Sequence, residues 1–204
     1  YQNVYPGAVN AAGTSVRSTT RKSVFNQTDL TYNLQTGTVR HKVLAGVELG
    51  RQETTNLRAS GFFPNNASSV NVPVSNPVAN QPVTFRTTST DNNNEGTARI
   101  TSFYVQDQIE LNPQWQIVGG LRTDRFRMDY RDNRAGQDFD VSDNPLSPRL
   151  GVIYKPVANL SLYGSYSVAY QPRAGEQLSS LSVSNATLEP EKFRNYEIGA
   201  KWDL

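Results

Sequence analysis

Apolar and polar residues alternate strictly in the C-terminal third of the chain. From Leu160 to Tyr170 (LSLYGSYSVAY) the even-numbered positions are mostly apolar and the odd-numbered ones mostly small or polar. This period of two is typical of a β-strand with a single apolar face. The preceding segment, Arg149–Lys155, alternates in the same way, and Lys155–Asn159 (KPVAN) has the composition of a tight turn. The pattern therefore predicts an antiparallel hairpin of two long strands.

The same alternation recurs along the rest of the chain and predicts about seven strands. Residues 1–22 are rich in small polar residues and predict a loop with at most a frayed strand end. Long connections are expected at 57–96, 132–146 and 172–192, and short ones at 35–40, 112–114 and 155–159. The predicted strands are Ser23–Leu34, His41–Thr55, Thr97–Leu111, Trp115–Arg131, Arg149–Lys155, Leu160–Tyr170 and Phe193–Leu204.

The alternation of long and short connections favours a membrane-spanning β-barrel. In such barrels short turns face the periplasm and long loops face the outside, and strands alternate between a lipid face and a polar lumen. The fold class predicted is an all-β, transmembrane antiparallel barrel segment. Asp107 is an exception, because it falls on the apolar phase of its strand. The residues expected to face lipid include Leu160, Leu162, Val168, Ile198, Ala200 and Trp202, with an aromatic girdle at Trp115, Trp202, Tyr154 and Tyr32 near the short turns.

Composition removes several classes of function. The 20 Lys and Arg against 18 Asp and Glu give a net charge of only +2, which argues against a nucleic-acid partner. The absence of Cys excludes disulfides and thiolate metal sites, and the single His excludes a multi-His metal site. No apolar run is long enough for a membrane-spanning helix.

Signals for enzyme chemistry are lacking. There is no Gly-x-Ser-x-Gly motif, no phosphate-binding glycine loop and no His paired with a nucleophile, so an enzyme is not predicted. Asp138, Asp140 and Asp143 are spaced loosely like a calcium loop, but the required Gly and terminal Glu are missing, and a solvated loop is expected. His41 is expected to be a non-functional residue at a turn-to-strand junction.

Four sequence motifs occur along the predicted strands and their connections. They are Tyr104–Gln108 (YVQDQ), Gly119–Phe126 (GGLRTDRF), Leu146–Gly151 (LSPRLG), and Leu188–Glu191 (LEPE) leading to Tyr196–Trp202 (YEIGAKW). In order and spacing, these motifs resemble the barrel of TonB-dependent siderophore receptors. The resemblance covers roughly Ser23 to Leu204 and is strongest to the catecholate and ferrichrome-type branch.

The resemblance implies residues 1–204 to be part of a 22-stranded barrel in the bacterial outer membrane, with a plug domain inside it. It implies TonB-dependent active uptake of ferric siderophores, with iron carried as the ligand and no resident cofactor. The expected partners are the ferric siderophore, the TonB-ExbB-ExbD system acting through the plug, and outer-membrane lipid and lipopolysaccharide. The chain has no plug, no TonB box and no aromatic C-terminal residue, and both ends are expected to be cuts within a longer protein.

The predicted outer loops carry the residues expected to bind the ligand. Iron siderophores are often anionic with aromatic or oxygen-rich faces, so Arg and aromatic side chains are suited to bind them. The lumenal phase carries two groups of charges, Arg122 with Asp124 and Glu197 with Lys201 and Asp203. Such charges can pair across strands or contact a plug, but simple solvation in a polar lumen is the expectation. The predicted ligand-binding residues are Arg58, Phe62, Phe63, Arg86, Arg131, Arg134, Tyr170 and Arg173.

Two alternatives remain open at the level of sequence. A passive outer-membrane porin would have a constricting loop and no plug-binding face. A secreted β-sandwich used for adhesion would need several strands with both faces apolar or covered, whereas one face here is rich in Ser, Gln and Glu. A plug domain upstream of Tyr1 would exclude both alternatives.

Overall fold

The computed structural model describes residues 8–11, 14–76, 78–171 and 188–203. These residues form an all-β structure, as the alternation predicts, with a single 3-10 turn at Pro64–Asn66. The strands, in chain order, are β1 (Ala8–Ala11), β2 (Ser15–Thr36), β3 (Val39–Phe62), β4 (Val70–Pro73), β5 (Thr84–Arg86), β6 (Asn93–Asn112), β7 (Trp115–Asp132), β8 (Gln137–Asp143), β9 (Leu146–Val157), β10 (Leu160–Gln171) and β11 (Glu191–Trp202).

The main sheet follows the chain order closely. Its neighbours run β11-β10-β9-β7-β6-β3-β2, with β5 added beside β3 and β8 beside β7. This path contains the seven predicted strands, each next to its predicted hairpin partner. β2 and β11 end the path and are not paired with each other among the described residues. β1 and β4 form a separate antiparallel pair.

Three segments predicted as loops contain strands. β2 already begins at Ser15, within the predicted loop 1–22, and β8 occupies half of the predicted loop 132–146. β3 continues to Phe62, and β4 and β5 lie inside the predicted loop 57–96. Polar residues dominate both faces of the added part of β2, and its side chains are exposed throughout, so alternation could not reveal it. Backbone pairing with β3 supports this strand without an apolar face.

The predicted short turns are confirmed. Gly37 adopts a φ of 62° in the turn between β2 and β3, a left-handed conformation in which glycine has no steric cost. In the turn from β6 to β7, Asn112 Oδ1 accepts hydrogen bonds from the backbone N–H groups of Gln114 at 2.9 Å and Trp115 at 3.0 Å. This side-chain cap replaces a backbone turn and lets the next strand start at once.

The apolar phase of the C-terminal strands is open to the outside of the sheet. Leu162 is 41% exposed and lies opposite Ala200, and Ile198 is 91% exposed. Val168 departs from this expectation, because its side chain is only 7% exposed. At the short-turn end, the rings of Trp115 and Tyr154 stack with centroids 4.5 Å apart, in the place predicted for the aromatic girdle.

The chain divides into two compact units. One unit comprises Tyr1–Arg21, Thr54–Glu95 and Arg131–Asp138, and the other Lys22–Glu53, Gly96–Tyr130 and Phe139–Leu204. The second unit holds a small apolar core, because the even-numbered residues of β7 change from charged to apolar after Asp124. The members of this core are Ala98, Phe126, Met128, Tyr130 and Val141.

Candidate ligand-binding site

Arg58 lies in the first unit, beside a buried carboxylate near the end of β3. Its Nε is 3.4 Å from Asp91 Oδ1. Asp91 is 3% exposed and accepts hydrogen bonds from Ser60 Oγ at 2.7 Å, Thr88 N at 2.8 Å and Thr88 Oγ1 at 2.9 Å. Because Ser60 is part of β3 and Thr88 precedes Asp91 by three residues, the carboxylate is fixed between a strand and its neighbouring loop. The position of the Arg58 guanidinium is thereby restricted.

Asp91 remains ionised over a wide pH range. The hydrogen bond from the Ser60 side chain, followed by those from Thr88, lowers the pKa of Asp91 from 3.8 to about 2, against the opposing effect of burial. A buried carboxylate with several hydrogen-bond donors keeps its charge and attracts a neighbouring guanidinium. The side chain of Arg58 as a whole is 36% exposed, so part of it is accessible from solvent.

An arginine and an aromatic ring stack beside this pair. β5 pairs with β3 so that Ser60 lies opposite Arg86 and Phe62 opposite Thr84. The guanidinium carbon of Arg86 lies 4.2 Å from the centroid of the Phe62 ring, a cation–π contact. Arg58, Ser60 and Phe62 are alternate residues of one strand and therefore share a face. The structure thus brings three predicted site residues, Arg58, Phe62 and Arg86, to one face of the β3–β5 ribbon.

The other predicted site residues are placed differently. Phe63 is 7% exposed and is buried instead of presented to solvent. Arg131 hydrogen-bonds Asn133 Oδ1 at 3.1 Å and lies 3.8 Å from Asp138, so its charge is locally compensated. Arg134 is likewise paired, at 3.1 Å, with Asp132.

The two remaining predicted site residues belong to the C-terminal strands. Tyr170 lies near the end of β10 in the second unit, where Lys192 Nζ is 5.6 Å from its ring centroid. Arg173 lies outside the described residues.

A charged network crosses three strands, β3, β6 and β7, in the second unit. Arg122 donates to Glu48 Oε2 at 2.9 Å, to Asp124 Oδ1 at 2.8 Å and to Ser102 Oγ at 2.9 Å, and Ser102 in turn donates to Asp124 at 2.5 Å. Instead of being simply solvated, Arg122 and Asp124 pair with each other on one strand, and Glu48 pairs with Arg122 across strands. Since every charge has an opposite partner, the network is suited to hold adjacent strands together across a polar face.

A second polar group adjoins this network through Tyr104. Its hydroxyl donates to Asp29 and accepts a hydrogen bond from Gln27 Nε2 at 2.9 Å. Gly46 lies beneath the ring, where a Cβ would collide with Tyr104 and with the Asp29 carboxylate. A glycine is therefore required at this close approach. A cavity of about 730 Å³ opens onto this polar face, with Glu48, Tyr104, Arg122, Asp124 and Arg149 in its lining.

Asp107, the acidic residue on the apolar phase of β6, pairs with a histidine. His41 Nδ1 and Asp107 Oδ2 are 2.7 Å apart, and both side chains are mostly buried, at 19% and 30% exposure. Arg40 and Glu110 form an ion pair at neighbouring positions of the same two strands. His41 and Asp107 therefore pair with each other on the apolar phase of two neighbouring strands, which agrees with a structural role for His41.

The described part of the chain shows no metal-binding cluster. No group of three or more His, Cys, Asp or Glu side chains within residues 8–11, 14–76, 78–171 and 188–203 is arranged to hold a metal ion. In that same part, no helix has the length and apolar character needed to cross a membrane.

Comparison with family models gives a match over the whole chain. Residues 1–204 match the family described as TonB dependent receptor-like, beta-barrel. The chain is 30% identical over 184 residues to the metal-pseudopaline receptor CntO of Pseudomonas aeruginosa (strain UCBPP-PA14), covering 87% of this chain and 25% of that protein. It is 25% identical over 218 residues to the catecholate siderophore receptor Fiu of Escherichia coli (strain K12), covering 93% of this chain and 28% of that protein.

Solved structures share the fold. The crystal structure of the siderophore receptor PiuA from Acinetobacter baumannii superimposes with a TM-score of 0.77 at 23% identity, over 92% of this chain and 30% of that chain. The chain therefore spans between a quarter and a third of the length of these relatives. The relatives are named as receptors and not as enzymes, which agrees with the lack of catalytic motifs and counts against the porin and sandwich alternatives.

Proposed function

Because the chain belongs to the TonB-dependent receptor β-barrel family, we propose that it forms part of the barrel domain of a receptor that imports ferric siderophores. TonB-dependent receptor barrels are bacterial outer-membrane proteins, and the relatives named above include siderophore receptors. The family match over residues 1–204 is the observation that carries this function. A catecholate-type chelate is proposed as the ligand class, supported by the name of one relative, the catecholate siderophore receptor Fiu.

Ligand capture is assigned to the face formed by Arg58, Phe62 and Arg86. The partly exposed side chain of Arg58 supplies a positive charge beside Asp91, and the stacked Phe62–Arg86 pair supplies a flat surface with a second charge. An anionic chelate with aromatic or oxygen-rich faces is complementary to both. Arg131 and Arg134 are proposed as further contacts and Phe63 as support beneath the site, whereas Tyr170 and Arg173 stay candidate ligand contacts predicted from the sequence.

Transport requires partners outside this chain. In the proposed mechanism, the outer loops bind the chelate, and the TonB-ExbB-ExbD system displaces a plug domain so that the chelate passes through the barrel. The charged network around Arg122 would give the lumenal wall a rigid polar surface, because its charges are paired within the sheet. Outer-membrane lipid and lipopolysaccharide would surround the apolar face.

Binding measurements on the full-length receptor test this function. Titration with a ferric tris-catecholate, followed by intrinsic fluorescence, should give saturable binding, and cells should take up iron from the same complex only when TonB is present. Replacement of Arg58 or Arg86 by Gln should weaken binding by roughly 1–3 kcal/mol, through loss of a charge-assisted contact.

Arg51→Gln is the matched control for these variants. Arg51 is an exposed arginine of the same strand, on the opposite face from Arg58, where it pairs with Glu53 at 2.6 Å. Its replacement should leave affinity unchanged. A wild-type receptor that binds no ferric chelate would contradict the proposed function.

A further inference from the structure

A third arginine faces Arg58 from the strand on its other side. Thr19 Oγ1 donates to Asn56 Oδ1 at 2.9 Å, and the backbone N–H of Gly61 donates to Thr14 O at 2.7 Å. Both contacts belong to one antiparallel alignment of β2 with β3. Moving two residues along each strand from the Thr19–Asn56 pair places Arg17 directly opposite Arg58.

Arg86 approaches the same position from β5. It lies opposite Ser60, two residues beyond Arg58, and its stacking on Phe62 puts it on the face that Arg58 and Phe62 share. Directly opposed side chains on neighbouring strands have Cβ atoms about 5 Å apart, and diagonal ones about 7–8 Å. Three arginines on three adjacent strands, Arg17, Arg58 and Arg86, therefore present their side chains to one small area of the first unit.

The positive charge of this area is largely uncompensated. Asp91 is the acidic partner of Arg58, and its two oxygens already accept hydrogen bonds from Ser60 and Thr88. Among the described residues, Arg17 and Arg86 form no ion pair, and Arg58 Nε is buried without a hydrogen bond. Like charges on adjacent strands destabilise a sheet. A local cost of this kind is expected where a ligand supplies the missing charge.

We propose that Arg17, Arg58 and Arg86 form one anion-binding site for a chelate with at least two adjacent negatively charged oxygens, and that Asp91 is the positioning residue of Arg58. This inference rests on the proposed function, since it specifies the ligand chemistry of the same face. Guanidinium groups bind paired oxyanions through two parallel N–H···O contacts, which favours carboxylates or catecholates over neutral donors.

A soluble chelate is favoured over a lipid phosphate as the source of those oxygens. Arg58 has the same parity along β3 as Arg40 and Glu48, which belong to the polar phase of the strand. The apolar residues Val43 and Val47 have the other parity. Because alternate residues of a strand share a face, Arg58 belongs to the phase that does not face lipid.

The test is a titration of the full-length receptor with a trianionic ferric tris-catecholate, a neutral ferric trihydroxamate and iron-free citrate. Arg17→Gln should weaken binding of the tris-catecholate and of citrate about ten-fold, as expected for one charge-assisted contact, and should leave the neutral complex unaffected. Arg51→Gln should bind all three like the wild type.

The results of this titration distinguish a failure of the three-arginine site from a failure of the proposed function. If the tris-catecholate binds but Arg17→Gln has no effect, the three-arginine site is wrong and the proposed function stands. If citrate binds with dependence on Arg17 while no ferric complex binds, the site stands and the proposed function fails. If no anion binds the wild-type receptor, both are overturned. Competition by lipopolysaccharide with the same dependence on Arg17 would overturn the chelate as the occupant.

A double-mutant cycle tests the role of Asp91. Asp91→Asn should weaken tris-catecholate binding in the wild-type background, and should have little further effect when Arg58 is already Gln, because it acts through Arg58. A residue that only stabilises the loop would weaken binding equally in both backgrounds. Additive effects of the two substitutions would therefore overturn the positioning role.

Discussion

At the scale of single residues, the strongest determinant of the candidate site is a buried carboxylate. Asp91 collects hydrogen bonds from Ser60 and Thr88 and, through its charge, orients Arg58. Residue type and the predicted loop indicate Arg58 as a ligand-binding residue. They do not indicate Asp91, because its partner Ser60 is 31 residues away in sequence. Nothing in the local pattern around Asp91 distinguishes it from other polar loop residues.

The lowered pKa of Asp91 predicts an acid-sensitive loop. A carboxylate whose folded pKa lies below its unfolded value contributes stability that is fully present above the unfolded value, near 3.8, and is lost as pH falls through the folded value of about 2. Cleavage of residues 63–92 by pepsin, an acid-active protease, should therefore rise progressively as the pH falls from about 4 to about 2.

Asp91→Asn serves as the comparison for this prediction. Because Asn carries no charge at any pH, the variant lacks this stabilisation throughout, and cleavage of the same residues should already be fast at pH 4, where ionised Asp91 still protects the wild-type segment. Identical cleavage profiles for the two proteins would show that Asp91 does not hold this segment.

At the scale of strands, an odd or even residue number (the parity of the position) decides on which face of the sheet a side chain lies. On β10, Leu162 lies opposite Ala200 and is 41% exposed, while Ser165 lies opposite Glu197 on the other face. Val168 has the parity of Leu162 but is buried. Residue parity therefore predicts the exposure of Leu162 correctly but not that of Val168, where local packing buries the side chain.

Opposite faces of β10 should respond differently to a charge. Leu162→Arg would place a guanidinium in the hydrocarbon region and should destabilise the receptor by roughly 2–4 kcal/mol, the usual effect of a cation near the bilayer midplane. Ser165→Arg would place the same group on the polar face and should have a much smaller effect. The measurement is reversible folding of the full-length receptor into lipid vesicles, and equal penalties at the two positions would contradict the assignment of faces.

At the scale of the whole chain, the sheet ends in two unpaired strands. β2 and β11 lie at the ends of the strand order and have no partner on their outer side among the described residues. Unpaired N–H and C=O groups are costly in hydrocarbon, and long exposed edges tend to pair with other chains. In the full-length receptor, these edges are expected to meet the neighbouring strands of the barrel.

Residues 1–204 expressed alone should consequently associate with one another. Light scattering of the refolded polypeptide in detergent should show aggregates or heterogeneous oligomers. The full-length receptor, treated in the same way, should remain monodisperse. A folded, monodisperse monomer of residues 1–204 would show instead that these strands close into a small barrel of their own.

The sequence by itself determined the strand order, the short turns and the two faces. Period-two alternation is a local property, and a one-residue change of register would exchange the faces, so segments such as Leu160–Tyr170 admit only one arrangement. The common face of Arg122 and Asp124 could be predicted for the same reason, because both share a strand and a phase.

Only the tertiary structure decided what depends on contacts between distant segments. The strand character of Ser15–Lys22 comes from backbone pairing with β3 and leaves no mark on a polar sequence. The partner of Asp107 is His41, 66 residues away, and the alignment of Arg17 with Arg58 depends on the register of two strands. Register and cross-strand partners are set by the summed pairing of whole strands, so residue types alone cannot specify them.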